Sequence, residues 1–200
     1  MGARRPERLG VFGGTFDPPH VGHLVAAVNA RHEARLDRVL LVVANEPWQK
    51  SGSRDLTPAA DRLAMVAAAV DGADGLEVSD IEIRRGGPSY TADTLQELHD
   101  QDPTRELFLV LGSDAAVGLP TWEGVDRVRK LASVVLVERP GTEGGRPPEG
   151  FEYEVVSVPL LDISSTEVRS RVADGRPLDY LLTPAVIDCI RSRGLYGAAR

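Results

Sequence analysis

The chain has 200 residues, 42% of them apolar and 26% charged, enough to bury one real core and balanced like an ordinary globular domain. Its formal net charge of -7 argues against a nucleic-acid polymer as partner, because such binding needs Lys and Arg to neutralise many phosphates; a small anion held by a few local cations stays compatible with it. Cys189 is the only cysteine, so no intrachain disulfide forms, and with no apolar leader in "MGARRPERLGVF" and no run approaching a membrane span a cytoplasmic location without membrane contact is expected.

In chain order, the apolar run "LGVFGG" from Leu9 predicts a strand, and Leu24, Ala27 and Val28 keep helical spacing in a helix that starts near Val21. "RVLLVVA" from Arg38 is a second strand. Thr57-Pro58 has the form of an N-cap followed by proline at the first helical position, ahead of Leu63, Val66 and Val70 at helical spacing. "LEVSDIEI" from Leu76 predicts a third strand and "TADTLQELHD" from Thr91 a helix. "ELFLVLGS" from Glu106, "SVVLVER" from Ser133 and "YEVVSVP" from Tyr153 are the remaining strands, with the helix "VDRVRKLA" before the fifth. "GTEGGRPPEG", Gly141 to Gly150, is a flexible loop with no readable role. "STEVRSRVADG" and, after a second Thr-Pro start at Thr183-Pro184, "PAVIDCIRSR" close the chain as helices. Strands apolar at nearly every position suit a parallel sheet covered on both faces, and strand alternating with helix means an open α/β sheet in a single domain, 1–200, whose last part, about 163–200, is helical. Such sheets bind ligands at the carboxyl ends of their strands, near the switch in strand order.

That geometry gives "GVFGGTFDPPHVGHL", Gly10 to Leu24, a place. Gly13 and Gly14 end the first strand where missing side chains let main-chain N–H groups approach a ligand, and Pro18 and Pro19 stiffen the next loop. The following helix points its positive end into the same crevice. His20 and His23, one turn apart, would hold phosphate oxygens there and meet charge that develops on them. Zinc binding by the pair lacks further ligands, since only His32, His99 and Cys189 remain and none is well spaced. A dinucleotide-oxidoreductase site lacks the G-x-G-x-x-G order. A tight turn with incidental histidines is the bland alternative.

"ISSTEVRSR", Ile163 to Arg171, carries two readings. Ser164 followed by Glu167 fits a capping box, while Ser164, Ser165, Thr166 and Arg169 at a helix start also match a triphosphate. "GTFDPPHVGH" together with "ISSTEVRSR" resembles the paired signatures of the nucleotidyltransferase superfamily. "VVANEPWQK", "PSYTADTL", "LGSDAAVGLPTW" and "VIDCIRSRGLY" resemble its bacterial nicotinate-mononucleotide adenylyltransferase branch.

The resemblance implies a Rossmann-like, doubly wound, mostly parallel sheet with flanking helices. It implies transfer of the AMP moiety of ATP to nicotinate mononucleotide, giving nicotinic acid adenine dinucleotide and pyrophosphate. The alternatives are another adenylyl- or cytidylyltransferase with a different phosphorylated acceptor, or a nucleotide-binding regulator without turnover. Carried over residue by residue, His20, His23, Arg169 and Lys50 are catalytic. Gly13, Gly14, Thr15, Gly112, Asp114, Ile163, Ser164 and Ser165 join His20, His23 and Arg169 around ATP, with Asp114 on the ribose. Thr91, Trp122, Arg139 and Lys50 take the mononucleotide, Trp122 by stacking on the pyridine ring. Magnesium is implied, held by ATP phosphates and not by a protein cage. Many relatives have Pro-Pro-His-Lys where this chain has Pro47, Trp48, Gln49 and Lys50. The loop 45–56 that carries them is long, polar and glycine-bearing, and is read as a lid. A homo-oligomer is compatible with the sequence, as is either strength of preference for nicotinate over nicotinamide.

Overall fold

The computed structural model describes residues 5–47, 56–141 and 145–198. Lys50 and most of the loop 45–56 lie outside them, as does part of the loop 141–150. The six strands are β1 (Arg8–Gly14), β2 (Arg38–Val43), β3 (Leu76–Ser79), β4 (Glu106–Gly112), β5 (Ala132–Glu138) and β6 (Tyr153–Ser157). They form one sheet in the order β3-β2-β1-β4-β5-β6, and every pairing is parallel. The chain winds outward from β1 to β3, returns to lay β4 against the other side of β1, and winds outward again. The switch point is therefore the gap between β1 and β4.

Helices cover both faces, and side chains alternate accordingly. From β4, Leu107, Leu109 and Leu111 pack on one side with Ala92, Leu95 and Leu98 of α4 (Thr91–Gln101) and Val128 of α6 (Val125–Leu131). Phe108 and Val110 pack on the other with Ala27 and Ala30 of α1 (Val21–Glu33) and Val66 and Val70 of α2 (Ala59–Val70). A third cluster joins α2 to α7 (Ser165–Ala173) and α8 (Pro184–Arg193) through Met65, Val168, Val172, Ile187 and Ile190. Gly10 lies where β1 meets the loop before β2: a Cβ there would come within 2.8 Å of Leu36 Cδ1. Among the described residues, no helix is long and apolar enough to cross a membrane.

Three expectations change. The third strand stops at Ser79, paired with Val42 of β2, where the Ser79 hydroxyl accepts from the Ile81 N–H at 3.4 Å and the rest of "LEVSDIEI" turns into α3 (Ile81–Arg85). Thr57 does not cap α2. Pro58 itself is the extended cap residue, with ψ 141, and the Thr57 carbonyl accepts from Arg62 Nε at 2.8 Å. Past β4, "SDAAVG" forms α5 (Ser113–Gly118), followed by a 3-10 turn at Leu119–Thr121. Thr183-Pro184 behaves as expected, with Thr183 Oγ1 accepting from the Val186 N–H at 3.3 Å.

Candidate active site

Two adjoining cavities open at the switch point. The larger, about 790 Å³, is walled by the end of β1, the start of α1, the ends of β4 and β5, and the start of α7. The smaller, about 250 Å³, lies between the ends of β1 and β4, the loop after β2 and the start of α4. Gly14, Thr15 and Leu111 line both, so the two form one bipartite cleft.

The loop between β1 and α1 is held in a demanding shape. Phe16 sits at φ 49, a left-handed conformation that costs a side-chain-bearing residue energy and persists where surroundings enforce it. Its ring lies under Gly14, where a Cβ would be 2.8 Å from Phe16 Cζ, and edge-on to His23 with centroids 5.1 Å apart. Gly14 is thus required by the loop's own aromatic ring, whereas a Cβ on Gly13 would meet nothing within 4 Å. The Asp17-Pro18 peptide is cis. Asp17 is 2% exposed and accepts from the Tyr196 hydroxyl at 2.6 Å.

His20 is the N-cap of α1 and His23 its third residue, with no acidic side chain in the first turn. Their rings stack at 3.8 Å between centroids. The His20 main-chain N–H donates to His23 Nδ1 at 3.1 Å, which leaves the proton of the neutral His23 ring on Nε2 as a donor. The His20 side chain faces the His23 main-chain N–H in return, completing a capping box at the start of α1; its Nδ1 is buried there, 3.0 Å from where a Cβ on Gly22 would stand, without a full hydrogen bond among the described residues. Burial, and secondarily the charge of Arg139, lower the His20 pKa to about 4, so the ring is neutral at pH 7 until an anion arrives to favour its charged form.

The second motif docks on the first. Ser164 caps α7, its Oγ accepting from the Glu167 N–H at 3.2 Å, but the box is only half formed, because Glu167 Oε1 accepts from Arg171 and Arg176; Ser164 also lines the larger cavity. Ser165 Oγ donates to the Pro18 carbonyl at 2.9 Å. Arg169 donates through Nη1 to the Asp17 carbonyl at 2.7 Å and through Nη2 to Thr166 Oγ1 at 3.0 Å. Two helix N-termini, those of α1 and α7, therefore face one cavity with His20, His23, Arg139 and Arg169 around it, an arrangement that attracts a polyanion.

The larger cavity brings together Gly14, Thr15, His20, His23, Gly112, Ile163, Ser164, Ser165 and Arg169. Arg139, expected at the mononucleotide, lines this cavity too. Gly13 lines the smaller one with Thr91 and Trp122. Trp122 Nε1 is buried without a partner among the described residues. Glu82 lines the smaller cavity as well, accepting from Thr94 Oγ1 at 2.6 Å. Asp114, exposed on the first turn of α5, lines neither.

Sequence reading missed Arg62, whose side chain is among the largest fully buried ones. Its guanidinium donates to the carbonyls of Thr57, Thr15, Ala44 and Asn45 at 2.7–3.0 Å, tying the β1 loop to the loop after β2. The signal was present: Arg62 shares helical spacing with Met65, Val66 and Ala69, a cation on an apolar face. Tyr196 was missed as well, and nothing local to it points to Asp17.

Residues 11–171 match the cytidylyltransferase-like family. A Corynebacterium kroppenstedtii protein named "Probable nicotinate-nucleotide adenylyltransferase" is 44% identical over 94% of this chain and 90% of its own length. A Roseiflexus protein of the same name is 45% identical over 94% of this chain and 97% of its own. Among solved structures, Plasmodium falciparum nicotinic acid mononucleotide adenylyltransferase complexed with NaAD superposes with a TM-score of 0.77 over 96% of this chain and 98% of that one, at 20% identity.

Proposed function

The chain belongs to the cytidylyltransferase-like family and, through relatives matched over nearly its whole length, to the nicotinate-nucleotide adenylyltransferases, and from that premise we propose how its cleft transfers AMP from ATP to nicotinate mononucleotide. ATP occupies the larger cavity with its phosphates over the starts of α1 and α7, and the mononucleotide occupies the smaller one. The observation that carries this reading is the shared wall: Gly14, Thr15 and Leu111 border both cavities, so a reacting phosphorus there is reachable from either side.

The acceptor's phosphate, with a second pKa of about 6, is mostly dianionic at neutral pH. One of its oxygens bonds to the α-phosphorus of ATP while the bond from that phosphorus to the bridging oxygen breaks, and pyrophosphate leaves with the electron pair. No general base is needed. The chain's part is in-line positioning and neutralisation of charge. Neutral His23 donates from Nε2, the His20 ring, at the same cavity wall, takes up a proton from solvent as the phosphates approach, and Arg169, Arg139 and Lys50 supply fixed positive charge. Trp122 stacks on the pyridine ring with Thr91 beside it, and Gly112, Ile163, Ser164 and Ser165 border the nucleotide.

No group of three or more His, Cys, Asp or Glu converges into a metal cage among the described residues. The His and Arg donors of the larger cavity fit the phosphate oxygens of a magnesium–triphosphate complex, whose metal keeps oxygen and water ligands of its own. Bound with the triphosphate, magnesium supplies further charge neutralisation at the phosphoryl oxygens.

The test is product analysis with ATP or CTP, magnesium, and nicotinate or nicotinamide mononucleotide. Pyrophosphate and nicotinic acid adenine dinucleotide from ATP, formed faster with the nicotinate acceptor, are expected. No pyrophosphate with either acceptor, or faster turnover with CTP, overturns the reading.

A further inference from the structure

We propose that Tyr196, in the last turn of the described chain, is a positioning residue for the phosphate loop: its hydroxyl fixes Asp17 and thereby the placement of His20. This rests on the reading of the larger cavity as the triphosphate site, and it brings into that site a residue beyond the family match, which ends at residue 171.

The loop from Asp17 to Pro19 contains two prolines, so it has few main-chain donors with which to hold itself. It is held from outside through its oxygens. Asp17 Oδ1 accepts from the Tyr196 hydroxyl at 2.6 Å, the Asp17 carbonyl from Arg169 at 2.7 Å, and the Pro18 carbonyl from Ser165 at 2.9 Å. One residue past His20, the Val21 N–H donates to the Leu181 carbonyl at 2.9 Å. All four anchors lie after residue 164, and two lie in the segment that follows α7.

Tyr196 reaches Asp17 by an expensive route. Its backbone is left-handed at φ 58, between Gly194 at φ 62 and Gly197 at φ 79, in the 3-10 turn Leu195–Gly197. A tyrosine in that region is strained, and such strain marks a side chain whose position matters. Met65 Sδ is 3.8 Å from the hydroxyl, so the shorter, charge-assisted bond to Asp17 takes the proton. Burial first, then the hydrogen bond to Asp17, raise the tyrosine pKa, so the hydroxyl remains a donor throughout the working range. The ring packs with the cluster of α2, α7 and α8, and removing the oxygen alone leaves that packing in place.

The test compares the wild type with Tyr196→Phe, Asp17→Asn and the double variant by steady-state pyrophosphate release, thermal melting, and NMR titration of the His20 ring. Tyr196→Phe is expected to lower kcat about tenfold with KM for ATP changed less than about threefold, since small displacements of catalytic groups are costly. The melting temperature should fall by about 3–8 °C, because the buried Asp17 carboxylate loses a donor. The double variant should be no slower than the slower single variant, because the bond that acts on the loop is the one the two residues share. His20 is faced by Arg139 from the end of β5, His23 on α1, Arg169 on α7 and the Asp17 loop; its pKa should rise from about 4 toward 6.5 as the loop loosens and water enters. Wild-type kcat in Tyr196→Phe with an unmoved His20 titration overturns the proposal, as does a fall in melting temperature with kcat per folded molecule unchanged. A wild type that releases no pyrophosphate refutes the reading of the reaction instead, and the His20 titration then decides the positioning role by itself.

Discussion

The two ends of the sheet are built from similar residues and used in opposite ways. At the amino ends of the strands, charged groups satisfy one another: Glu7 accepts from Arg38 at 2.6 Å and from Arg105 at 2.7 Å, Arg38 also reaches Glu77 at 2.6 Å, and Arg8 reaches Glu106 at 2.8 Å. This lattice crosses β3, β2, β1 and β4 at their starts, with Arg8 lying 4.2 Å from the centre of the Phe108 ring. At the carboxyl ends, His20 Nδ1, Ser113 Oγ and Trp122 Nε1 are buried without partners among the described residues, and Phe16 is left-handed. A buried polar atom without a partner costs stability. Charged groups are thus matched within the chain at one end, while at the other Trp122, whose Nε1 has no partner among the described residues, borders the smaller cavity.

The sharpest way to break this contrast is Arg62, a structural cation buried at the functional end. Arg62→Ala leaves four carbonyls without their donor and is expected to cost about 3–5 kcal/mol, seen as a fall in melting temperature of about 10 °C. Arg62→Lys should recover only part of it, because an ammonium lacks the planar fork that spans two loops. A melting temperature unchanged in Arg62→Ala would show that the loops do not depend on it.

Replacing either histidine should do the reverse. His20→Ala or His23→Ala is expected to lower kcat about 100-fold or more, while the melting temperature falls by only about 2–5 °C, the cost of breaking the capping box at the start of α1. A variant that keeps wild-type kcat in pyrophosphate release contradicts the role given to that ring.

Acid separates the two ends further. His20 is held neutral in the fold, with its pKa lowered from 6.5 to about 4, so the unfolded chain binds its proton first. The stability this group leaves intact is fully present above 6.5 and is lost as pH falls toward 4, by about 2 kcal/mol between pH 7 and pH 5. Denaturant melts at the two pH values should show this loss in the wild type and a smaller one in His20→Ala. Equal losses would mean that His20 is not held neutral.

The smallest expected effect is at the amino end. Glu7→Gln weakens two partly exposed ion pairs and should cost about 0.5–1 kcal/mol, as such pairs usually do, with kcat for pyrophosphate release unchanged. A drop in kcat there would mean that the sheet transmits strain from one end to the other.

What could be read in the sequence follows the range of the interaction. The helix Pro184–Arg193 is set by a local cap and a local period, and its start and end agree with the pattern. The six strands and their parallel arrangement follow from apolar runs, and the site's two helix starts from motifs of adjacent residues. The end of β3 was not legible, because "LEV" and "IEI" alternate alike on either side of Ser79-Asp80, yet the first is strand and the second begins α3. The Asp17–Tyr196 bond joins residues 179 apart, and no local pattern encodes such a pairing. Gly14 was legible as a special position for an incomplete reason: the ring it accommodates belongs to Phe16, two residues on. The two motifs were legible separately; their mutual clamp, Arg169 and Ser165 on the carbonyls of Asp17 and Pro18, emerges only in the fold.

The most direct test is an NMR titration of the His20 ring in the free protein and with a saturating non-hydrolysable ATP analogue. A pKa near 4 in the free protein that climbs by at least about two units when the triphosphate binds, as an opposite charge at close range requires, is the result expected if the His20 ring meets the phosphates. A pKa that stays near 4 in the complex would contradict it.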